Sequence, residues 1–77
     1  MTNKNIKTKK IDKQIGEAIE LQRKIAKKTR KNLAQKLGLS YQQIQNYETG
    51  KHRISASALY LIANFFKVSI NNFFPKK

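Results

Sequence analysis

What most constrains the fold of this chain is a run of helix punctuation in its middle, where two start signals alternate with two stop signals: Thr29, Gly38, Ser40 and Gly50. The side-chain oxygens of Thr29 and Ser40 suit the open N–H groups of a helix start, and Gln43 stands at capping-box spacing from Ser40. Glycine takes the left-handed backbone that a tight helix exit needs. The punctuation leaves room for two short helices, over 30–37 and 41–49, joined by a turn at Gly38. Leu33, Ala34, Leu37, Ile44 and Tyr47 form a wedge between them, with Ala34 small where the helices must approach.

The flanking segments also read as helices. Ile11, Ile15, Ala18, Ile19, Leu21, Gln22, Ile25 and Ala26 fall within an arc of roughly 160° on a helical wheel, which predicts an amphipathic helix over 11–28. Asp12, Glu17 and Glu20 would then lie towards its positive N-terminal half. Ser55 can cap a helix over 56–66 whose inward positions are Ala56, Leu59, Tyr60, Ile62, Ala63 and Phe66. A last turn over 70–74 opens at Ser69, carries Ile70, Phe73 and Phe74, and is closed by Pro75. No stretch alternates with period two, so the fold class is all-α, with five helices. Residues 1–10 hold one apolar side chain after Met1, Ile6, and are expected to be a disordered basic arm. The domain is placed at 11–74 and a short basic tail at 75–77.

Charge narrows the partners. Lys and Arg number 17 against 4 Asp and Glu, a net +13, and eleven of the 17 lie in the first 31 positions. So positive a chain implies a polyanionic partner. The absence of Cys excludes disulfides, thiolate chemistry and Cys/His zinc sites. His52, the only histidine, sits in a basic loop without an acid beside it and reads as exposed. No second titratable group stands at catalytic spacing, so the chain is expected to be no enzyme and to need neither metal nor cofactor. No apolar run approaches a membrane span and no secretory signal is present, which predicts a soluble cytoplasmic protein.

The outer face of the 41–49 segment carries Tyr41, Gln42, Gln45 and Asn46 where a solvated helix would usually carry Lys and Glu. Gln and Asn can pair with adenine N6 and N7, and an aromatic ring can contact the thymine methyl. Two short helices joined at a glycine are also the layout of a helix-turn-helix, whose second helix lies in the DNA major groove. These four residues are therefore the base-reading candidates. Lys28, Thr29, Arg30, Lys31, Lys36, Ser40, Lys51 and Arg53 are the candidates for contacts to the DNA backbone. Gln43 is assigned to the Ser40 cap, and Glu48 is expected to pair with a neighbouring Lys or Arg.

The run T-R-K-N-L-A-Q-K-L-G-L-S-Y-Q-Q-I-Q-N-Y-E-T-G resembles the phage-repressor and Cro-like helix-turn-helix domains, the XRE family. Matching positions extend ungapped from Ile15 and Gly16 through Arg23, Ser55, Leu59, Ile62, Ala63, Val68 and Ser69 to Phe74, about three quarters of the chain. The resemblance implies a lambda-repressor-like domain of a bacterial transcriptional regulator. It would bind operator double-stranded DNA as a homodimer, with its third helix reading bases through Tyr41, Gln42 and Asn46, Gln45 beside them. Arg30 stands where the family commonly has a supporting Gln, and Lys28 replaces a common Leu. The same fold also serves antitoxins and adaptors that bind a protein partner, the alternative reading. Phe65 and Phe66 cannot both face one core. Phe65, Ile70, Phe73 and Phe74 exceed what so small a core should bury and are the candidates for a dimer seam.

Overall fold

The computed structural model describes residues 2–75, with side chains from residue 8 onward. Four α-helices follow one another: α1 (Thr2–Ile25), α2 (Arg30–Leu37), α3 (Tyr41–Thr49) and α4 (Ala56–Phe66). A 3-10 turn at Ile70–Phe73 closes the domain, so the expected fifth helix is a single tight turn. No strand occurs among the described residues. The short helices end where the glycines stand: Gly38 and Gly50 have φ of 69° and 79°.

The start of α1 differs from the reading of the sequence. Its backbone is helical from Thr2, nine residues before the expected start at 11, where a disordered arm was expected. Helical hydrogen bonds need no apolar partner once a long helix is nucleated, and propagation is inexpensive compared with starting a new helix. Met1, Lys76 and Lys77, which complete the expected arm and tail, lie outside the described residues. With the start moved, Asp12, Glu17 and Glu20 fall in the middle of α1, and no acid occupies its first turn.

The core is built from Ile15 and Ile19 of α1, Leu33 and Ala34 of α2, Ile44 of α3, Leu59, Ile62 and Ala63 of α4, and Phe73. α1 is turned on its axis relative to the expected arc. Leu21 and Ile25 are 61% and 62% exposed, whereas Arg23 is buried. In α4 the inward stripe is narrower than expected, because Ala56 and Tyr60 are exposed while Leu59, Ile62 and Ala63 are buried. Phe65 and Phe66 share the core edge: both are half-buried, their rings edge-to-face with centroids 5.0 Å apart.

α4 ends at Lys67 with φ 58°, a left-handed conformation that an L side chain adopts at a cost of about 1–2 kcal/mol. Glycine there removes that cost but loses part of the gain to the greater freedom of the unfolded chain. Lys67→Gly is expected to stabilise the domain by about 0.5–1 kcal/mol, read as a thermal midpoint several degrees higher. A lower midpoint would show that the Lys67 side chain contributes more than its backbone costs.

Candidate nucleic-acid interface

The two caps that frame α2 and α3 are reciprocal. Ser40 Oγ accepts from the Gln43 N–H at 3.0 Å and Gln43 Oε1 accepts from the Ser40 N–H at 3.1 Å, as the sequence spacing predicts. Thr29 makes the same box with Asn32, a partner the sequence reading missed although it stands three residues on. Gly38 donates to the Ala34 carbonyl, as does Leu39 at 3.0 Å, which turns the chain between the helices.

α3 is held against α1 by a backbone contact and an ionic one. A Cβ built on Gly16 would collide with the Tyr47 carbonyl oxygen and stand 2.6 Å from that of Glu48, so the two helices meet where no side chain intervenes. Glu48 is buried, and its carboxylate accepts from Arg23 Nε at 2.7 Å, Arg23 Nη2 at 3.1 Å and Arg30 Nε at 2.8 Å. Arg23 also donates to the Lys28 carbonyl at 3.0 Å, and Glu20 lies 3.6 Å from Arg30. The predicted pairing of Glu48 is thus met by two arginines. The Arg30 guanidinium is held above its usual range chiefly by the hydrogen bond to Glu48, with the Tyr41 side chain adding to the effect and burial opposing it. Arg30 supports the end of α3 by this contact, though it stands where the family commonly has Gln.

The base-reading candidates are not equivalent. Tyr41 is 51% exposed at the start of α3 and Gln42 is exposed beside it, while Gln45 is half-buried. Asn46 is only 8% exposed. Its Oδ1 accepts from Gln42 Nε2 at 3.2 Å, and its Nδ2 lies 3.3 Å from His52 Nδ1, donating to that nitrogen when it carries no proton. The His52 N–H donates to the Asn46 carbonyl at 3.2 Å. His52 is exposed, as expected, but it also fastens the loop after α3 onto Asn46. A contact made six residues away, across the Gly50 turn, leaves no periodic signal in the sequence.

Cationic side chains gather at both ends of α3. Lys28, Thr29, Arg30, Lys31 and Tyr41, with Arg23, line a surface depression of about 320 Å³ at its start. Lys9, Lys51 and Arg53, with Thr8, Asp12 and Gly50, line one of about 310 Å³ at its end. Arg53 Nε is 3.3 Å from Asp12 Oδ2 there, and its side chain remains 64% exposed. Lys36 lines neither of these; it shares a further hollow with Lys28, Asn32, Gln35 and Phe65, so Lys28 borders both that hollow and the depression at the start of α3. Of the seam candidates, Phe73 is 1% exposed and belongs to the core, so it cannot line a seam. Phe65 and Ile70 are half-buried and Phe74 is 42% exposed; Tyr60 and Leu61, at 59% and 47%, are the large exposed apolar side chains of α4. Among the described residues no group of His, Cys or acids could hold a metal ion, and no helix is long and apolar enough to cross a membrane.

Two short helices with reciprocal caps, a left-handed glycine between them and an uncharged outer face define a helix-turn-helix domain. The chain belongs to the XRE-type helix-turn-helix family, whose profile, described as helix-turn-helix, matches residues 19–73. A protein described as a transcriptional regulator in the ATPase CF(0) region of Rhodospirillum rubrum is 42% identical over 64 residues, covering 83% of this chain and 59% of the relative. An HTH-type transcriptional regulator of Rickettsia prowazekii is 38% identical over 74 residues, covering 96% of this chain and 57% of the relative. The chain therefore spans a little over half the length of these curated relatives. The restriction-modification controller protein C.AhdI from Aeromonas hydrophila has the same fold, with a TM-score of 0.76 at 18% identity over 80% of this chain and 94% of its own. So does the DNA-binding domain of BldD, with a TM-score of 0.77 at 19% identity over 86% of this chain and 96% of its own.

Proposed function

We propose that the chain is a sequence-specific, double-stranded DNA-binding transcriptional regulator that acts in the bacterial cytoplasm, with α3 in the major groove. The observation that carries this reading is the uncharged outer face of α3 with a cationic depression at each end. Phosphates of the two strands bound the groove, so cations at the ends of a reading helix meet them while Gln and Asn along it can pair with base edges. Membership of the helix-turn-helix family and the regulators among its relatives support the reading.

Tyr41, Gln42 and Gln45 contact base edges in this proposal. Asn46 orients Gln42: its Oδ1 takes one N–H of the Gln42 amide, which leaves the other N–H and Oε1 for a base. Lys28, Thr29, Arg30, Lys31, Ser40, Lys51 and Arg53 face the backbone, with Lys36 outside the patch. Gln42→Ala is expected to cost on the order of 1–3 kcal/mol at the preferred site and to relax preference at particular base pairs. Lys28→Ala should weaken all duplexes alike. Sites selected from random duplexes test this directly, and an unchanged selected site for Gln42→Ala would remove that residue from the reading set.

Salt gives a second test. The five cations placed on phosphates, Lys28, Arg30, Lys31, Lys51 and Arg53, imply a slope of about −4.5 per protomer and about −9 for a dimer in log affinity against log salt, a loss of at least roughly five-hundredfold between 50 and 200 mM. Flat affinity over that range would contradict the proposal. One module buries too little surface to select a site in a genome, so the regulator acts as a two-fold dimer with α3 helices about 34 Å apart on a palindromic site. With Phe73 in the core, the seam runs over Tyr60, Leu61, Phe65 and Phe74. Sedimentation with and without DNA tests it, and a protomer that stays monomeric in both would refute the dimer.

A further inference from the structure

Helix α1 carries an apolar stripe that its own fold does not cover. Ile11, Leu21 and Ile25 are 42%, 61% and 62% exposed, while Ala18 between them is half-buried with one side against the core. Together with exposed Gln14 these positions run in alternating steps of four and three, the spacing by which one helix meets another in a coiled coil. Single exposed apolar residues are ordinary, but a register of them along one helix forms a contact surface.

The stripe faces away from α3. Gly16 and Lys13 meet α3 and the glycine that ends it, and Arg23 reaches Glu48. At about 100° per residue, those three positions are centred roughly 170° around α1 from the stripe. A ligand on α3 therefore leaves the stripe open. The exposed flank of the stripe carries Lys10, Glu17 and Lys24, two cations to one acid, on a chain of net charge +13; Lys24 lies 3.4 Å from Glu20, an acid that it shares with Arg23 and Arg30, and its side chain stays 65% exposed. An antiparallel second copy of α1 would set Lys10 against Lys24 and Glu17 against itself, so like charges meet throughout. An acidic helix would meet them favourably.

We propose that this stripe docks an acidic amphipathic helix of another protein while α3 stays free. Leu or Ile of the partner would pack on Ile11, Leu21 and Ile25, and its Glu or Asp would lie beside Lys10 and Lys24. The test uses the full chain and a synthetic 21-residue helix with Leu at the coiled-coil a and d positions and Glu at e and g. A scrambled peptide of the same composition is the control. The ordered peptide is expected to bind at least tenfold more tightly than the scrambled one and to shift backbone amides between residues 11 and 25. Leu21→Ser with Ile25→Ser should lose at least tenfold in peptide affinity, with thermal midpoint and affinity for duplex DNA unchanged. Equal binding of the two peptides, unchanged binding by the double variant, or amide shifts centred on α3 or α4 would overturn the proposal. So would a wild-type dimer that the double variant makes monomeric, because a second copy would then occupy the stripe. Loss of the DNA-binding reading would remove only the duplex control and leave the peptide, amide-shift and oligomer outcomes unaffected.

Discussion

Gly16→Ala is expected to destabilise the domain by about 3 kcal/mol or more, at or beyond the usual upper range for overpacking. The added methyl would meet backbone atoms of Tyr47 and Glu48, which cannot rotate aside as a flexible side chain could. α1 and α3 would have to separate, and Ile15, Ile19 and Ile44, all buried, would lose packing. A domain this small is stable by only about 4–12 kcal/mol. Thermal unfolding should register the change as a midpoint lower by roughly 12–24 °C. A shift of only a degree or two would mean that the helices can part without loss, contrary to the close approach described above.

Glu48→Ala is expected to cost about 3–5 kcal/mol, because it leaves two guanidinium groups facing one another with only the more distant Glu20, 3.6–3.9 Å away, and no hydrogen-bonded acid. The Arg23 and Arg30 side chains are 11% and 21% exposed, too little for water to replace the carboxylate. Glu48→Gln keeps the shape and one acceptor and should fall between the two. Urea unfolding checks this: the midpoint should fall with little change in the slope. The raised state of Arg30 sets the sign of its pH effect. A folded value above the unfolded one stabilises below the unfolded value and is lost only as pH rises through the folded one. Its contribution is therefore constant through the neutral range and disappears only in strong alkali. A cost under about 1 kcal/mol for Glu48→Ala would show the trio to be no better than a surface ion pair.

Much of the fold was legible because helix ends carry local signals. Thr29, Gly38, Ser40 and Gly50 each act through their own backbone or the next turn, so α2 and α3 have the expected bounds. The rotation of α1 was not legible in that way. An arc of apolar residues is compatible with several rotations, and the one adopted depends on burying Arg23 beside Glu48, twenty-five residues away. Leu21 and Ile25 face solvent for the same reason. Residue types and spacing marked the uncharged face of α3, but they could not show that Asn46 is engaged by Gln42 and His52. Phe73 was misplaced at a seam because an aromatic excess says how much must be covered and not which ring the core takes.

The ion pairs also divide the two kinds of cation. All three arginines, Arg23, Arg30 and Arg53, are paired with Glu20, Glu48 or Asp12. Among the residues whose side chains are described, Lys24 is the one lysine within ion-pair distance of an acid. Guanidinium groups thus hold the architecture, and primary amines supply most of the outward charge. The two are separable by ordinary chemistry. An acylating reagent that neutralises amines and spares guanidinium would strip most of the attraction for polyanions and leave the helices in place. The chain can therefore be discharged without being unfolded, and an enzyme that acylates lysines would have the same lever on it.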